Sequence, residues 1–271
     1  APGFAEAFAE AAARHFDADV LAVVTGGPEV AAEFAALPFD HLLFTGSGRV
    51  GRQVMQAAAA NLTPVTLELG GKSPALVAPD APLAHAVDRI MTGKLLNAGQ
   101  TCIAPDYVLL PRAGIEPFIA EARTWVARHY PRLEGNVDYS RIINDAQFRR
   151  LDDWIAQARD AGGALHPLSD AAPDPASRLM PPLIVTDAQG PLAEEEIFGP
   201  ILPLVPYDRL REAVDHILAR PRPLAFYPFT QDDETLALLL GTVAAGGVTV
   251  NDTLMHVAQP GLPFGGIGAS G

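Results

Sequence analysis

Short apolar runs and helical stretches alternate along most of this chain. The apolar runs have the length and the bounding turns of buried strands, and the stretches between them have helical apolar spacing. This alternation predicts a mainly parallel sheet covered by helices, the α/β fold class. The expected strands are Val20–Thr25, His41–Thr45, Pro64–Leu69, Ala75–Ala78, Tyr107–Leu110, Ile201–Val205 and Gly247–Asn251. The expected helices are Glu29–Ala36, Val50–Ala60, Leu83–Leu96, Ile115–His129, Asp145–Ala161, Arg209–Ala219 and Asp232–Leu240.

Composition excludes several classes of partner. With 19 Lys+Arg and 32 Asp+Glu the net charge is −13, so the chain lacks the basic surface that a nucleic-acid partner requires. The longest uncharged apolar stretch, Leu236–Val250, is broken by glycines and too short to span a membrane. A single cysteine, Cys102, fits a reducing, cytoplasmic location, and the widely spaced histidines do not predict a local metal site.

The first motif, residues 44–51, reads Phe-Thr-Gly-Ser-Gly-Arg-Val-Gly and joins an expected strand to an expected helix. It contains Gly-x-Gly-x-x-Gly, in which glycines let the backbone approach a pyrophosphate and the first helical turn attracts the anion. Glu68 follows Gly46 by 22 residues, at the end of the next strand, where a ribose ligand would be expected. A plain strand–helix turn that needs small residues is the alternative.

The second motif, residues 67–74, reads Leu-Glu-Leu-Gly-Gly-Lys-Ser-Pro. Its glutamate, Glu68, is a ribose ligand, a partly buried general base or a strand residue that faces solvent; the alternation of the flanking leucines favours the last. The two glycines that follow form a tight turn, which keeps space free in front of the carboxylate.

The third motif, residues 97–102, reads Asn-Ala-Gly-Gln-Thr-Cys and follows a helix. A lone cysteine is most often a small buried hydrophobe. Cys102 lies in a polar loop, however, and a nucleophilic thiolate must be reachable, so the loop favours a nucleophile.

Two further motifs are unspecific when taken alone. Residues 194–200, Glu-Glu-Glu-Ile-Phe-Gly-Pro, place three carboxylates before a strand, and at least one should face solvent or a hydroxyl-bearing ligand because three buried charges would repel. Residues 262–268, Leu-Pro-Phe-Gly-Gly-Ile-Gly, put an aromatic ring beside paired glycines, which could line a substrate entrance or anchor a loop.

Taken together, in this order and spacing across positions 44–271, the five motifs resemble the aldehyde dehydrogenase superfamily. The family pattern of Phe-Thr-Gly-Ser, Leu-Glu-Leu-Gly-Gly-Lys-Ser-Pro, Gly-Gln-x-Cys, Glu-Glu-Ile-Phe-Gly-Pro and Pro-Phe-Gly-Gly is matched nearly letter for letter. Residues 250–264 are most similar to the branches that act on coniferyl and fatty aldehydes.

The resemblance implies a Rossmann-type cofactor domain, present only in part at 1–69, and an α/β catalytic domain at 70–271. It also implies that the chain is a fragment lacking an N-terminal part and the extreme C-terminus, and that it does not turn over alone. The full-length protein is expected to be a homodimer or homotetramer.

The same resemblance implies site residues and chemistry. Cys102 would be the nucleophile that forms a thiohemiacetal and then a thioester, and Glu68 the general base that activates water, not a ribose ligand. NAD or NADP would be the cofactor, and the substrate an aromatic or apolar aldehyde. Cofactor contacts would come from Thr45, Gly46, Ser47, Val50, Leu69, Gly70, Glu196 and Phe198, and more loosely from Gln147 and Arg150.

Two other functions stay open on the sequence. One is a non-covalent Rossmann dehydrogenase in which Glu68 binds ribose and Cys102 is dispensable. The other is a non-catalytic fragment that keeps these residues without a working site.

Overall fold

The computed structural model describes residues 2–271. They form two compact units, of which the first comprises residues 2–45 and Arg49–Thr66, and the second Gly46–Gly48 and Leu67–Gly271.

The first unit is mainly helical with a short two-stranded sheet. Its elements are α1 (Pro2–His15), α2 (Pro28–Ala35), β1 (Leu42–Thr45), most of α3 (Gly48–Ala59) and the start of β2 (Val65–Glu68). The Leu42 N–H donates to the Pro64 carbonyl at 3.0 Å, where β2 is about to begin beside β1. A small core of Ala35, Leu42 and Val54 packs between the sheet and the helices.

The strand expected at Val20–Thr25 is absent, and the prediction is wrong there. Residues 21–27 have no regular structure, and the side chains of Val20 and Val24 are exposed. An apolar run becomes a strand only where a neighbouring strand takes its backbone hydrogen bonds, and no described strand lies beside this one.

The second unit is built on a seven-stranded sheet in the order β5-β6-β7-β4-β3-β8-β9. All neighbouring strands are parallel except β5 and β6, which are antiparallel. This confirms the predicted α/β class with a mainly parallel sheet. The strands are β3 (Pro74–Val77), β4 (Tyr107–Pro111), β5 (Ala164–Pro167), β6 (Leu183–Thr186), β7 (Ile201–Tyr207), β8 (Ala225–Phe229) and β9 (Gly247–Val248).

Helices supply the crossovers between the parallel strands of this unit. Each presents an apolar face to the central strands, as with Val87 and Ile90 of the first crossover helix, which are fully buried in the largest core cluster. These helices are α4 (Leu83–Leu95), α5 (Ile115–His129), α6 (Asp145–Asp160), α7 (Pro191–Glu194), α8 (Leu210–Leu218) and α9 (Asp233–Thr242).

Three strands of the large sheet, β5, β6 and β8, were not expected from the sequence. β8 carries Pro228 in its interior, and Pro is uncommon in a central strand. The proline-rich stretch 169–182 joins β5 to β6 as a loop, with Leu179 and Met180 buried.

None of the described helices combines the length and the apolar character needed to cross a membrane.

Candidate active site

Three of the sequence motifs meet at one edge of the large sheet. The Gly70–Gly71 turn leads into β3, the Cys102 loop into β4 and the Glu196 loop into β7. These strands lie side by side in the order β7-β4-β3 and run parallel. The segments that precede them therefore lie at the same end of the strands. The topology therefore gathers motifs that are separated by up to about 130 residues in the sequence.

The loop that carries Cys102 has an unusual backbone. Asn97 and Ala98 have φ values of 51°, in the left-handed region, and Gly99 follows at 73°. Asparagine and glycine adopt this region readily, whereas an alanine there costs roughly 1–2 kcal/mol. The turn redirects the chain at the end of α4, and the half-buried Cys102 follows it.

The side chain of Gln100 stabilises this loop through hydrogen bonds. Its Nε2 donates to the Arg141 carbonyl at 3.0 Å, and its Oε1 accepts from the Ile143 N–H at 2.8 Å. The same amide nitrogen lies 3.2 Å from the Asn97 carbonyl. The glutamine of the Gly-Gln-Thr-Cys motif thus has a positional function, because it ties the loop to the segment before α6.

The neighbouring glycine brings the third and fourth motifs into direct contact. A Cβ at Gly99 would overlap the carbonyl of Gly199, and the positive φ of Gly99 strains any larger residue. Close approach of two backbones is a common reason for glycine in a loop. The Cys102 loop and the Glu196 loop therefore pack backbone to backbone.

The electrostatic surroundings of the thiol oppose its ionisation. Burial raises the pKa of Cys102, and the negative charge of Glu196 raises it further, with a smaller contribution from Glu68. The backbone N–H groups of Cys102 and Ile103 act in the opposite direction. These two donors face the sulfur, and the Cys102 N–H is the predicted oxyanion donor.

Glu68 ends strand β2, and partial burial raises its pKa. Its Oε2 is shielded from solvent and has no hydrogen-bond partner among the described residues. A shielded carboxylate oxygen of this kind can accept a proton from a bound water molecule, which is what a general base requires. Its negative charge also contributes to the raised pKa of Cys102, so the two groups lie near each other.

Glu196 is half-buried, whereas Glu194 and Glu195 of the same motif are exposed. At least one of the three carboxylates therefore faces solvent, as the sequence predicted. Burial and the nearby Asp106 raise the pKa of Glu196 to about 7. The Gly71 N–H, which bonds to the carboxylate, lowers it.

The structure gives Gly70 a specific reason to be glycine. A Cβ at this position would overlap the carboxylate of Glu196, so the turn after Glu68 leaves the space that this carboxylate fills. Gly70 and Glu196, both predicted cofactor contacts, are thus brought together.

Phe198 follows in the same loop with a φ of 50°. Its side chain is 38% exposed, while its neighbours Ile197 and Gly199 are buried. Phenylalanine rarely adopts a positive φ, and strain of this kind often marks a functional loop. The ring is free to pack against a planar or sugar group of a ligand.

The main chain around Glu68 connects to the first and the fifth motifs. The Gly46 N–H donates to the Glu68 carbonyl at 3.1 Å, which places the Gly46–Ser47 turn beside it. The Leu69 N–H donates to the Ser270 carbonyl at 3.0 Å, so the glycine-rich C-terminal segment lies along this strand end. Of the Leu69 backbone, the carbonyl is therefore the group available for the predicted ligand contact.

Two predicted cofactor residues lie in the first unit. Thr45 is the last residue of β1, and Val50 is in the first turn of α3. Val50 lines an apolar cleft of that unit together with Val24, Val30 and Phe34. A flat apolar group such as an adenine ring suits such a cleft.

Arg150, a loosely predicted ribose contact, has three partners within the protein. Its guanidinium donates to the Ile197 carbonyl at 2.6 Å and to Gln147 Oε1 at 2.7 Å, and it stacks 4.3 Å above the ring of Trp154. It therefore supports the loop that carries Glu196.

Sequence reasoning missed a buried lysine next to the site. Lys94, in the last turn of α4, is 1% exposed, and its Nζ has no hydrogen-bond partner among the described residues. Burial lowers its pKa to about 8, while the carboxylates of Asp106 and Glu196 oppose that change. Its apolar helical neighbours gave no sign that a charge lay inside the core.

A buried tyrosine, also missed, supports the loop after Cys102. The Tyr227 hydroxyl donates to the Ile103 carbonyl at 2.5 Å, and the Leu254 N–H bonds to the same hydroxyl. Its signal in the sequence is weak, because one tyrosine in an apolar run is most often core.

The residues of the second unit fit the nicotinamide end of NAD or NADP. A carboxylate can accept hydrogen bonds from both hydroxyls of a ribose, and the Glu196 carboxylate occupies the space that a Cβ at Gly70 would fill. The exposed Phe198 ring lies two residues further along the same loop. These features match the cofactor that the sequence resemblance implies.

Comparisons with known proteins identify the family. The model of the aldehyde dehydrogenase family matches residues 1–271. A protein of Pseudomonas aeruginosa described as probable coniferyl aldehyde dehydrogenase is 49% identical over 261 residues, which is 96% of this chain and 54% of that protein.

Solved structures show the same similarity. One, described as the substrate-bound state of Staphylococcus aureus AldH, gives a TM-score of 0.92 at 38% identity and covers 99% of this chain and 58% of that one. Another, an NAD⁺ complex of aldehyde dehydrogenase from Bacillus cereus, gives 0.82 at 28% identity, over 92% of this chain and 51% of that one. The chain spans about half the length of the curated relatives it matches, 54% for the Pseudomonas aeruginosa protein. Motifs, fold and comparisons lead to one conclusion: the chain belongs to the aldehyde dehydrogenase family.

Proposed function

We propose that the full-length protein that carries this chain oxidises an aldehyde to the carboxylic acid with NAD or NADP as the hydride acceptor. The observation that carries the proposal is geometric: the turn after Glu68 lies against the Glu196 carboxylate at Gly70, and the Cys102 loop lies against the Glu196 loop where Gly99 meets Gly199. A nucleophile, a base and a ribose-binding carboxylate are the groups that such a reaction requires.

The first step is attack of the Cys102 thiolate on the aldehyde carbon. A carbon–sulfur bond forms while the carbonyl π bond opens, and the negative charge moves to the oxygen. The Cys102 N–H stabilises this oxyanion. Because burial and Glu196 raise the thiol pKa, thiolate formation requires either a proton acceptor or a change in this environment on ligand binding.

In the second step the thiohemiacetal carbon loses a hydride and the carbonyl re-forms, which leaves a thioester on Cys102. The bound cofactor supplies the acceptor for that hydride. Glu196 would hold its ribose through the carboxylate beside Gly71, and Phe198 would pack against it. Gly46, Ser47, Gly70 and the Leu69 carbonyl would contribute further contacts.

In the last step Glu68 takes a proton from water, and the resulting hydroxide attacks the thioester carbon. The carbon–sulfur bond then breaks, the acid leaves and the Cys102 thiolate is regenerated, and Glu68 releases its proton to solvent. The raised pKa of Glu68 suits this function, because a stronger base removes the proton more readily.

The substrate class is proposed from the relatives. The matching Pseudomonas aeruginosa protein is described as a probable coniferyl aldehyde dehydrogenase. We therefore propose an aromatic aldehyde such as coniferyl aldehyde, with apolar aliphatic aldehydes as the second class. We also propose a homodimeric or homotetrameric cytoplasmic protein, in which residues 1–69 belong to the cofactor domain and 70–271 to the catalytic domain.

The test is reduced-cofactor absorbance with a cinnamaldehyde-type substrate, using the full-length protein and its Cys102→Ser variant. We expect activity with NAD⁺ or NADP⁺ in the wild type and its loss in the variant. Because Cys102 is the only cysteine of this chain, iodoacetamide labelling of a peptide from it reports the thiol directly.

The alternatives give different results in the same assay. Activity that survives in Cys102→Ser would support a non-covalent dehydrogenase in which Glu68 binds ribose. A wild type that reacts with no aldehyde and binds neither cofactor would support the non-catalytic interpretation. The 271-residue chain alone is expected to be inactive, and steady cofactor reduction by it would contradict that expectation.

A further inference from the structure

A buried ion pair holds the two peptide groups on either side of Glu196. Lys72 Nζ donates to the Glu195 carbonyl at 2.9 Å, immediately before Glu196. On the other side, the Ile197 N–H donates to Asp106 Oδ1 at 2.9 Å. Glu196 is therefore fixed by the backbone at both of its neighbours.

The two side chains also bind each other. Lys72 Nζ lies 2.5 Å from Asp106 Oδ2, and the side chains are only 9% and 4% exposed. Lys72 donates a further hydrogen bond to the Leu192 carbonyl at 3.0 Å, and its Nζ lies 5.6 Å from the centroid of the Tyr107 ring. All three N–H donors of the lysine and both carboxylate oxygens of the aspartate are thus engaged in hydrogen bonds.

Stability alone is a weak explanation for this arrangement. Taking two charges out of water is costly, and apolar residues of similar volume are often as stabilising as a buried ion pair. What an apolar pair cannot supply is a donor and an acceptor aimed at two specified peptide groups. The position of the Glu196 loop is the property that depends on these charges.

The origin of the two side chains adds to this argument. Lys72 follows Glu68 by four residues, and Asp106 follows Cys102 by four residues. The backbones of the two segments are joined where β3 and β4 begin, since the Asp106 N–H donates to the Ser73 carbonyl at 2.8 Å. The Glu196 loop is therefore aligned against the two segments that carry the proposed base and nucleophile.

We propose that Lys72 and Asp106 are positioning residues that align Glu196 for the cofactor ribose. The inference rests on the proposed function. The ion pair sets how well the cofactor binds, because it places the ribose carboxylate, and it leaves thiol chemistry and thioester hydrolysis to Cys102 and Glu68.

The experiment uses the full-length protein with the double variant Lys72→Met/Asp106→Leu, which replaces both charges at once, so that neither member of the ion pair is left without the other. The matched control is Arg112→Met/Asp208→Leu, which removes an exposed ion pair whose shortest N–O distance is 3.0 Å. Thermal unfolding establishes that each variant is folded. Titration of protein fluorescence with NAD⁺ and NADP⁺ gives the cofactor Kd, and steady-state kinetics gives KM and kcat.

We expect the cofactor Kd and KM of the Lys72/Asp106 variant to rise about 10–100-fold, because a small misplacement of a ligating group has effects of this size. At saturating cofactor, kcat should change far less, and iodoacetamide should still label Cys102. The control variant should match the wild type in all measurements.

Two results would overturn the proposal. One is a folded Lys72/Asp106 variant with the cofactor Kd of the wild type, which would make the pair purely structural. The other is an equal loss of kcat with unchanged KM, which would place its effect on the chemical step. A wild type that binds neither cofactor would instead refute the proposed function, and this inference with it.

Discussion

The two glutamates of the site differ in how they are held. Glu196 receives the Gly71 N–H, and both neighbouring peptide groups are bound by buried charges. Glu68 ends a strand and keeps one shielded oxygen without a partner. Burial raises the pKa of both carboxyl groups, to about 7 for Glu196.

The difference separates a binding group from a reacting group. A carboxylate that must meet two ribose hydroxyls benefits from a fixed position, because less entropy is lost when the ligand binds. A base that accepts a proton needs an oxygen that is not already satisfied by a donor. Similar surroundings therefore support two functions, and the hydrogen bonds distinguish them.

The largest effect should come from Glu68→Gln. The variant should lose about 10²–10⁴-fold in steady-state turnover, because general-base catalysis contributes an acceleration of this size. The first turnover should survive as a burst of reduced cofactor, since thioester formation precedes the step that uses Glu68. Rapid-mixing absorbance measurements separate the burst from the steady state.

The control for this prediction is Glu195→Gln, an exposed carboxylate of the neighbouring motif. This variant should keep the first turnover and the steady-state rate of the wild type. Loss of the burst in Glu68→Gln would mean that this residue acts before the thioester forms, and the contrast between the two glutamates would fail.

The next largest effect should be on stability. Lys72→Met alone leaves the buried Asp106 carboxylate without its ion-pair partner, so the free energy of unfolding should fall by about 3–5 kcal/mol. Urea unfolding followed by circular dichroism measures this. A loss as small as that of the exposed Arg112→Met control would mean that the ion pair is not buried in solution.

Glu196→Gln should weaken cofactor binding. Unlike Glu68→Gln, it should not show a burst of reduced cofactor followed by slow turnover. The amide keeps one acceptor but loses the charge, and a hydrogen bond to a charged group contributes about 1.5–3 kcal/mol, so the cofactor Kd should rise about 10–100-fold. Fluorescence titration gives the Kd, with Glu195→Gln as the control. Equal Kd values for the two variants would remove Glu196 from the binding site.

Lys94→Met should stabilise the protein, in contrast to Lys72→Met. Replacing a buried amine that has no hydrogen-bond partner with an apolar side chain should raise the free energy of unfolding by about 1–2 kcal/mol. The Lys94 pKa is lowered from 10.5 to about 8, so the folded state binds fewer protons between these pH values and wild-type stability rises with pH there. The advantage of the variant should therefore be largest below pH 8 and shrink toward pH 10.5. Urea unfolding at pH 7 and pH 10 measures both, and an equal difference at the two values would contradict the lowered pKa.

The smallest expected effect concerns the thiol. Glu196 raises the pKa of Cys102 more than Glu68 does. Glu196→Gln should therefore speed alkylation by iodoacetamide a few-fold at a pH below the thiol pKa, and Glu68→Gln less. The reverse order would show that the two carboxylates approach the sulfur differently from the structure.

Much of the fold and of the candidate site was readable from the sequence. The strand–helix alternation predicted the parallel α/β sheet, and the structure confirms it. The strand expected at Val20–Thr25 failed because an apolar run does not reveal whether a neighbouring strand exists. β8 was missed because Pro228 interrupts its pattern.

What the sequence by itself determined is the set of reactive groups and their order: a cysteine in a polar loop, a glutamate before two glycines and a glutamate before Ile-Phe-Gly-Pro. Residue type and local spacing are enough to recognise such groups, and the family resemblance followed from them. Which of the two glutamates is held and which is left with an unsatisfied oxygen was decided only by the tertiary structure. The hydrogen bond that Lys72 donates to the Glu195 carbonyl and the one that Asp106 accepts from the Ile197 N–H join residues 91–123 positions apart. Burial raises or lowers a pKa only after the chain has folded.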